Sequence, residues 1–386
     1  MASLHDTAAP GVGLSVVGLG YWGPNLLRNA WEIDGARVIS ICDPDTRALA
    51  QHGRRYPNVR QVPRFEDVLA DDEIDAVLIA TPVRMHFPMA RQAIEAGKHV
   101  FVEKPMSQTA AQCEELMDRA EKQGVVLMPG HTFLYSPPVR KVKDVLDAGE
   151  IGDLYFATFS RVNLGIHQSD ASVVRDLGPH DFSMLLYWLG EPIFVRAVGR
   201  DSVGSGQLDV VFIDMGLPSG ALVHMELSWL APTKLRRTVL VGSGKMVVYE
   251  DTSPEQVRIF DRGVEVIEPQ SFGEHQLSYR SGDVLTPRLD AAEPLRLELE
   301  DFVAAVVEGR EPQSSKDVGL SVVRLIEAVE QSLEWNGSPV AVNTPPGERR
   351  RGGDRRRSIG GMPSLEWAPE PLELPRSAQG GRRRAR

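Results

Sequence analysis

Cysteine is scarce in this chain: 386 residues contain only Cys42 and Cys113. Two thiols build neither a disulfide framework nor a zinc site of ordinary spacing, which points to a reducing cytoplasm. His86, His99, His167, His224 and His275 show no metal spacing with cysteines or carboxylates either, so no metal is expected. Long apolar runs are also missing. None approaches the length of a membrane span, and Met1 to Gly13 lacks the basic start and apolar core of a secretion signal. Positive charge is in deficit, with a net charge of −10. Residues 344–386 hold eleven arginines and five acids, a net of +6, so residues 1–343 carry −16. So acidic a body excludes nucleic acid as a natural partner. The basic tail, with Gly-Gly pairs and no apolar periodicity, reads as a disordered, solvated extension. What remains is ordinary for a globular protein: 42% hydrophobic and 25% charged residues, enough for about two domains and a large core.

The most informative segment is Gly18-Leu19-Gly20-Tyr21-Trp22-Gly23. An apolar run, Leu14 to Val17, precedes it, and Pro24 follows where a first helical residue belongs. This is the pattern of a dinucleotide-binding turn. Gly18 permits the turn, Gly20 lets backbone approach a pyrophosphate, and Gly23 lets the helix pack on the strand. A second apolar run, Ala36 to Cys42, ends at Asp43. A carboxylate there accepts ribose hydroxyls and repels a 2′-phosphate, so NAD is expected in preference to NADP.

Strands and helices alternate through the first third, which implies a parallel sheet with right-handed crossovers. Helices are expected at Asp45–Tyr56, Phe65–Leu69, Phe87–Ala96 and Ala110–Gln123. Further strands are expected at Asp75–Ala80, His99–Glu103 and Val125–Met128. The rhythm is that of a six-stranded doubly wound domain, with ligands at the carboxyl ends of the strands. Those ends carry the glycine turn, Asp43, Thr81-Pro82, Glu103-Lys104-Pro105 and His131. Beyond about residue 134 a helix, Pro138–Ala148, leads to strand-like stretches without intervening helices. These are Leu154–Asn163, Ile193–Arg200, Leu208–Met215, Ala221–Trp229, Arg237–Val241, Lys245–Glu250 and Gln256–Phe260. They indicate an α+β domain with an open, mainly antiparallel sheet, closed by helices Pro294–Glu308 and Val318–Trp335. The expected division is therefore residues 1–133, a Rossmann domain; 134–343, a substrate-binding and oligomerisation domain; and 344–386, the tail.

Two segments carry chemistry. Lys104 follows a strand at the sheet end where a nicotinamide belongs. A lysine there can donate to a substrate oxygen and stabilise alkoxide charge. In Asp176-Leu177-Gly178-Pro179-His180-Asp181, Pro179 fits the first position of a helix whose apolar face is Phe182, Leu185, Leu186 and Leu189. That places His180 in a first helical turn, where the dipole favours a neutral imidazole able to take a hydroxyl proton. Asp176 could orient His180 or a substrate hydroxyl, and a capping or interdomain role is the alternative for this segment. His131, Tyr135, Arg161 and Asn163 are candidates to line the cleft. Lys234 and Arg236, near Trp229 and Arg237, are cations suited to a phosphate, with solvated charge as the alternative.

With these residues in view, the chain resembles the glucose–fructose oxidoreductase/inositol dehydrogenase (Gfo/Idh/MocA) family. The resemblance rests on Val17–Asn25, Ala80-Thr81-Pro82, Glu103-Lys104-Pro105, Gly130-His131-Thr132-Phe133 and Asp176–Asp181. It implies a Rossmann domain, an open-sheet domain that forms dimers or tetramers, NAD(P), and Lys104, Asp176 and His180 as the catalytic set. It also implies cofactor contacts from Gly18, Gly20, Tyr21, Trp22, Gly23, Asp43, Thr81, Pro82, His86, Glu103 and Lys104. Substrate contacts are then expected from Lys104, His131, Tyr135, Arg161, Asn163, His180, Lys234 and Arg236. Arg161–Gly165 and Ser228–Arg236 are similar to the branch that oxidises nucleotide-linked amino sugars at C3, a pattern that cyclitol and antibiotic-sugar dehydrogenases share. The expected activity is oxidation of a secondary hydroxyl of a sugar or cyclitol. A ketoreductase working in reverse and a silent NAD-binding sensor or scaffold are the alternatives. The basic tail has no counterpart in the family pattern.

Overall fold

Strand β1 (Val12–Val17) enters the glycine turn and leaves as helix α1 (Gly23–Glu32). After it come β2 (Ala36–Cys42), α2 (Thr46–Gly53), β3 (Arg60–Val62), α3 (Phe65–Leu69), β4 (Ala76–Ile79) and α4 (Val83–Glu95). Then follow β5 (His99–Glu103), α5 (Ala110–Gln123) and β6 (Leu127–Gly130). These coordinates are a computed structural model that describes residues 11–165, 171–267 and 276–342. The tail, His167, His275 and the first ten residues lie outside the described residues.

The six strands pair in the order β3-β2-β1-β4-β5-β6, all parallel. The order reverses beside β1, which opens a crevice at the carboxyl ends of β1 and β4. Both strands are buried along their whole length, as strands covered on two faces must be. The sixth strand, β3, is a short edge with exposed Arg60 and Gln61, so no apolar run announces it. Helix α4 begins at Val83, directly after Pro82, rather than at Phe87, and it keeps Pro88 inside. Helix α5 matches its expected bounds. Thr109 caps it by accepting from Gln112 N at 3.2 Å, and Gly124 ends it with φ +66°.

A 3-10 turn (Thr132–Tyr135) leads into α6 (Pro137–Asp147), β7 (Leu154–Leu164) and α7 (Val173–Leu189). The rest of the second sheet is β8 (Phe194–Arg200), β9 (Val210–Gly216), β10 (Leu222–Ser228), β11 (Leu230–Gly242), β12 (Met246–Glu250), β13 (Val257–Ile267) and β14 (Gln276–Leu285). Helices α8 (Pro294–Glu308) and α9 (Lys316–Glu334) and the short β15 (Val340–Ala341) complete the chain. The sheet order is β14-β13-β12-β11-β7-β10-β9-β8-β15. Pairs are antiparallel except β7 with β10. One face buries Ala157, Phe159, Val211, Ile213, Met225 and Leu240 against Phe182 and Leu185 of α7 and Val322, Ile326 and Val329 of α9. The alternate residues Phe156, Val198, Phe212 and Leu222 are exposed, the period-2 signature of a sheet with one covered face.

Helices α8 and α9 return from the second sheet to the cores of the first. Leu295, Leu299 and Phe302 of α8 join Leu26, Leu27 and Phe101 in the core of the first sheet, with the Phe101 and Phe302 rings 5.9 Å apart. Leu320 and Val323 of α9 pack with Cys113 and Leu116 of α5. Residues Met1–Asn343 therefore cluster as one unit, and both sheets present their functional ends to a shared cleft.

Candidate active site

The first wall of the cleft is the glycine turn. Gly18 has φ +92°, and a Cβ there would meet Ala80 O at 2.6 Å. A Cβ on Gly23 would sit 1.8 Å from Gly18 O, whereas one on Gly20 would meet nothing within 4 Å. The turn is thus closed on itself at two glycines and open at the third, which suits close approach by a pyrophosphate. Helix α1 starts with no side-chain cap, so the positive end of its dipole is left to meet an anion at the same turn. Tyr21, 87% exposed, and Trp22 meet edge to face at the rim. Asp43 Oδ2 accepts from Leu19 N at 2.7 Å and its Oδ1 from Asp45 N at 2.8 Å. The carboxylate therefore ties the turn to β2 and still has acceptor capacity for ribose hydroxyls. This set fits a dinucleotide.

The cleft floor begins at the ends of β4 and β5. His86 is buried, with Nδ1 at 2.9 Å from Pro105 O and Nε2 at 2.8 Å from Thr81 O. Both partners are carbonyls, so the neutral ring donates to one of them from its single N–H, and His86 is a brace between two loops of the site rather than a group turned to a cofactor. Burial, aided by Lys104, holds its pKa below the usual value. Lys104, whose bond to Pro105 is cis, reaches across the cleft and donates from Nζ to Asp176 O at 3.0 Å. Burial lowers its pKa against the opposing pull of Asp176 and Glu103. Beneath it, burial pushes the Glu103 carboxyl up to about 7. Glu298, from α8, is fully buried and accepts from Thr132 Oγ1 at 2.7 Å. Burial and the Glu103 charge hold it well above the usual carboxylate range. His131 is also buried, with both ring nitrogens unpartnered. Desolvation and Lys104 bring its pKa down to about 3.

Helix α7 supplies the opposite wall, and here the sequence reading needs correction. The helix begins at Val173 and carries Pro179 inside it, not at its first position. Asp176 is in the first turn and His180 one turn further on, so the N-terminal dipole is not what keeps His180 neutral. Its pKa is held well below the ordinary value by burial, then by the charges of Lys104, Arg161 and Arg236. Asp176 Oδ2 accepts from Trp229 Nε1 at 3.1 Å. Among the described residues no side-chain hydrogen bond joins Asp176 to His180; the one-turn spacing and the Lys104 contact bring them to the same cleft.

The remaining candidates separate into two groups. Arg161 is 2% exposed and forms a two-pronged bond to Asp181, 2.5 Å from Nε and 3.1 Å from Nη2. Its guanidinium lies 4.7 Å from the centre of the Phe133 ring, whose other neighbour is His180 at 5.2 Å. Arg236 stands opposite Arg161 in the β7–β11 register and bonds Asp251 at 3.0 Å. Asn163, half-buried, lies two residues on from Arg161 in β7. Lys234, by contrast, is exposed in the stretch of β11 where pairing with β7 is interrupted. Tyr135 is fully buried. Its hydroxyl donates to Asp301 Oδ2 at 2.7 Å and accepts from Ser314 N at 2.9 Å, so it is tied into the scaffold rather than turned to the cleft. No group of three His, Cys, Asp or Glu that could hold a metal occurs among the described residues. No described helix is long and apolar enough to cross a membrane.

Residues 12–131 match the model described as "Oxidoreductase family, NAD-binding Rossmann fold", and residues 139–248 match the GFO/IDH/MocA C-terminal domain. The chain belongs to the GFO/IDH/MocA oxidoreductase family. Its first domain is an NAD-binding Rossmann domain, and it is an oxidoreductase of the dehydrogenase kind. Among characterised relatives, a 4-carboxy-2-hydroxymuconate-6-semialdehyde dehydrogenase from a Sphingobium species is 26% identical over 84% of this chain and 99% of its own length. An inositol 2-dehydrogenase from Corynebacterium glutamicum is 26% identical over 56% of this chain and 66% of its own. Among solved structures, GenD2 from gentamicin A biosynthesis, in complex with NAD, superposes with TM-score 0.74 at 22% identity, covering 89% of this chain and all of GenD2. The UDP-N-acetylglucosamine 3-dehydrogenase GnnA of Acidithiobacillus ferrooxidans superposes with TM-score 0.70 at 24% identity, covering 84% of this chain and 98% of GnnA. At these identities the superpositions show a common fold.

Two residues that shape this GFO/IDH/MocA cleft escaped the motif reading. Arg175 clamps Glu330 of α9 with two bonds of 2.6 Å and donates to Gln108 O at 3.0 Å, fastening α7 to the loop after Lys104. Glu298 was legible in principle. It interrupts the buried face Leu295, Leu299, Phe302 of α8, and a carboxyl on an apolar helical face is a signal that it meets a partner.

Proposed function

We propose that this protein oxidises a secondary hydroxyl of a sugar or cyclitol, with a nucleotide-linked sugar oxidised at C3 as the preferred substrate. The observation that carries the reading is the 3.0 Å contact of Lys104 Nζ with Asp176 O. It brings a cation from the first domain to the helix that bears His180. NAD, when bound, supplies the hydride acceptor, and Gly18, Gly20, Gly23, Asp43, Thr81 and Pro82 are the residues that would hold it. His180, kept neutral by burial and neighbouring cations, takes the hydroxyl proton. Lys104 holds the same oxygen and stabilises its negative charge as the carbonyl forms. Trp229 orients the Asp176 carboxylate, which is placed to fix a neighbouring substrate hydroxyl. Reduction of the corresponding ketone uses the same groups in reverse. A silent sensor would have no use for a buried lysine reaching the helix that bears a neutral imidazole.

The test is a panel of UDP-sugars, dTDP-sugars and inositols, read by NADH absorbance in both directions. His180→Ala and Lys104→Ala should each lower kcat by roughly 10²–10⁴-fold, the usual contribution of an acid–base group. If no panel member reduced NAD and no derived ketone consumed NADH, the reading would be lost. The uncovered sheet face, with Phe156 beside Leu222 and Val198 beside Phe212 across strands, supports self-association into a dimer or tetramer. Light scattering of wild type and Phe212→Arg tests that. The free, buried Cys42 and Cys113, each with its thiol pushed up to about 12 by burial, support a reducing cytoplasm.

A further inference from the structure

The inner face of the second sheet is apolar except at the end beneath the cleft. There one row runs from Arg161 on β7 to Arg236 opposite it on β11 and on to Asp251, just past the end of β12; the Asp251 N–H bonds Arg236 O at 3.0 Å. Arg161 is almost wholly buried, and Asp181 occupies its Nε and Nη2. Its Nη1 is buried and has no partner among the described residues. The next row back places Tyr249 on the same face, and its buried hydroxyl is unpartnered too. Burying an ion pair costs more than an apolar replacement of equal volume, and a spare charged donor adds to that cost. A scaffold has no need of it. The position of the spare donor is informative. Arg161 and His180 touch the same Phe133 ring, at 4.7 and 5.2 Å, so they lie no further apart than those two distances combined.

We infer that Arg161 Nη1, with Arg236 beside it, is a subsite for an oxyanion carried by the substrate within a few bonds of the carbinol that reacts at His180. A carboxylate and a phosphate ester share the required chemistry. The inference rests on the dehydrogenase reading and narrows its substrate to an acidic polyol. Electrostatics agrees: the leading charges acting on His180 are all cations, Lys104, Arg161 and Arg236. An anion would therefore meet an attractive field and would offset it once bound.

Matched pairs test this with the full-length protein and NAD: uronates or aldonates against the neutral sugars and alditols, and sugar phosphates or nucleoside-diphosphate sugars against the free sugars. The acidic member should exceed its neutral partner in kcat/KM by about 10- to 150-fold, the worth of one charge-assisted hydrogen bond. Preference among carboxylates or among phosphates identifies the source of the anion. Arg236→Gln should shrink the preference mainly through KM, and Arg161→Lys, which keeps a charge for Asp181, should do the same without loss of folding. Calorimetric binding of malonate and of inorganic phosphate to the NAD-loaded protein is measured in parallel. Anion binding that weakens in Arg236→Gln supports the subsite even if no sugar is turned over, in which case only the dehydrogenase reading fails. Neutral polyols turned over as well as their acids, or anion binding indifferent to both substitutions, would overturn the inference.

Discussion

Replacing Asp43 by alanine tests the cofactor site through two independent effects. In the folded chain its carboxylate accepts from Leu19 N at 2.7 Å and from Asp45 N at 2.8 Å. Asp45 is exposed, so water replaces that second bond at little cost. Leu19 is buried, and its N–H loses a charged acceptor. A hydrogen bond to a charged group is worth about 1.5–3 kcal/mol. Asp43 is half-exposed, so about 2 kcal/mol is the expected loss in the free protein. The second effect needs cofactor. Loss of the ribose contact should raise the NAD KM by about 10- to 100-fold, at the same 1.4 kcal/mol per tenfold that governs any affinity. NADP, whose 2′-phosphate no longer meets an acid, should be affected less, so the preference for NAD relaxes. Urea unfolding without cofactor reads the first effect, and kcat/KM for each cofactor reads the second. Asp43→Asn retains an acceptor for Leu19 and should recover most of the stability without the discrimination. An unfolding midpoint unmoved in Asp43→Ala would refute the tether. Wild-type kcat/KM higher with NADP than with NAD would refute the role assigned to the carboxylate.

Three further outcomes follow from the geometry. Tyr135→Phe strands the Ser314 N–H and removes one donor from Asp301, so it should cost about 2–3 kcal/mol of stability with substrate KM unchanged. A raised KM at unchanged stability would return Tyr135 to the substrate site. The acid limb of kcat/KM should lie below pH 6.5, because His180 must lose a proton to act and its pKa is held below that value. It should vanish in His180→Ala; a limb that survives the substitution belongs to another group. Folding stability should carry a carboxyl contribution of unusual sign. Glu103 keeps its proton up to about 7 and Glu298 beyond the usual range, whereas the unfolded chain releases both near 4.5. Their contribution is full below pH 4.5 and is lost as pH rises through about 7. The difference in unfolding free energy between wild type and Glu298→Gln should therefore shrink over that window, and a difference constant with pH would remove Glu298 from the titrating pair.

Much of the fold was legible because burial imposes periods that survive in sequence. Helix α5 and strand β5 fall at their expected bounds, since each has an apolar face and unambiguous stops: Thr109 and Gly124 for the helix, Pro105 beyond the strand. Failures occur where the period carries no apolar signal. Strand β3 is an edge of three residues, of which Arg60 and Gln61 are polar and exposed. The start of α7 was misplaced because proline usually marks a first turn, whereas Pro179 is held inside a helix whose neighbours Gly178 and Phe182 are buried against Leu227. Packing outweighed the missing hydrogen bond.

The site was legible in a different sense. Position at a strand end singled out Lys104 and Asp43, and the family resemblance added His86, but neither says what a polar atom meets. Lys104 follows the end of β5, and His86 lies in the first turn of α4, beyond the end of the adjoining β4. One reaches over the cleft to Asp176 and the other is spent on the carbonyls of Thr81 and Pro105. Tyr135 and Arg161 are both buried and both polar. The partners of Tyr135 lie 166 and 179 residues away and use its hydroxyl fully. Arg161 finds Asp181 only 20 residues away and keeps one nitrogen unspent. The distinction between scaffold and site is therefore one of residual hydrogen-bonding capacity in a dry place. A scaffold residue is satisfied by the fold alone, because leaving it unsatisfied costs stability without return. A residue that binds something is left incomplete by the fold, and the ligand completes it. Under the proposed function that criterion assigns His131 and Arg161 to the working surface, and Tyr135 and His86 to the frame that holds it.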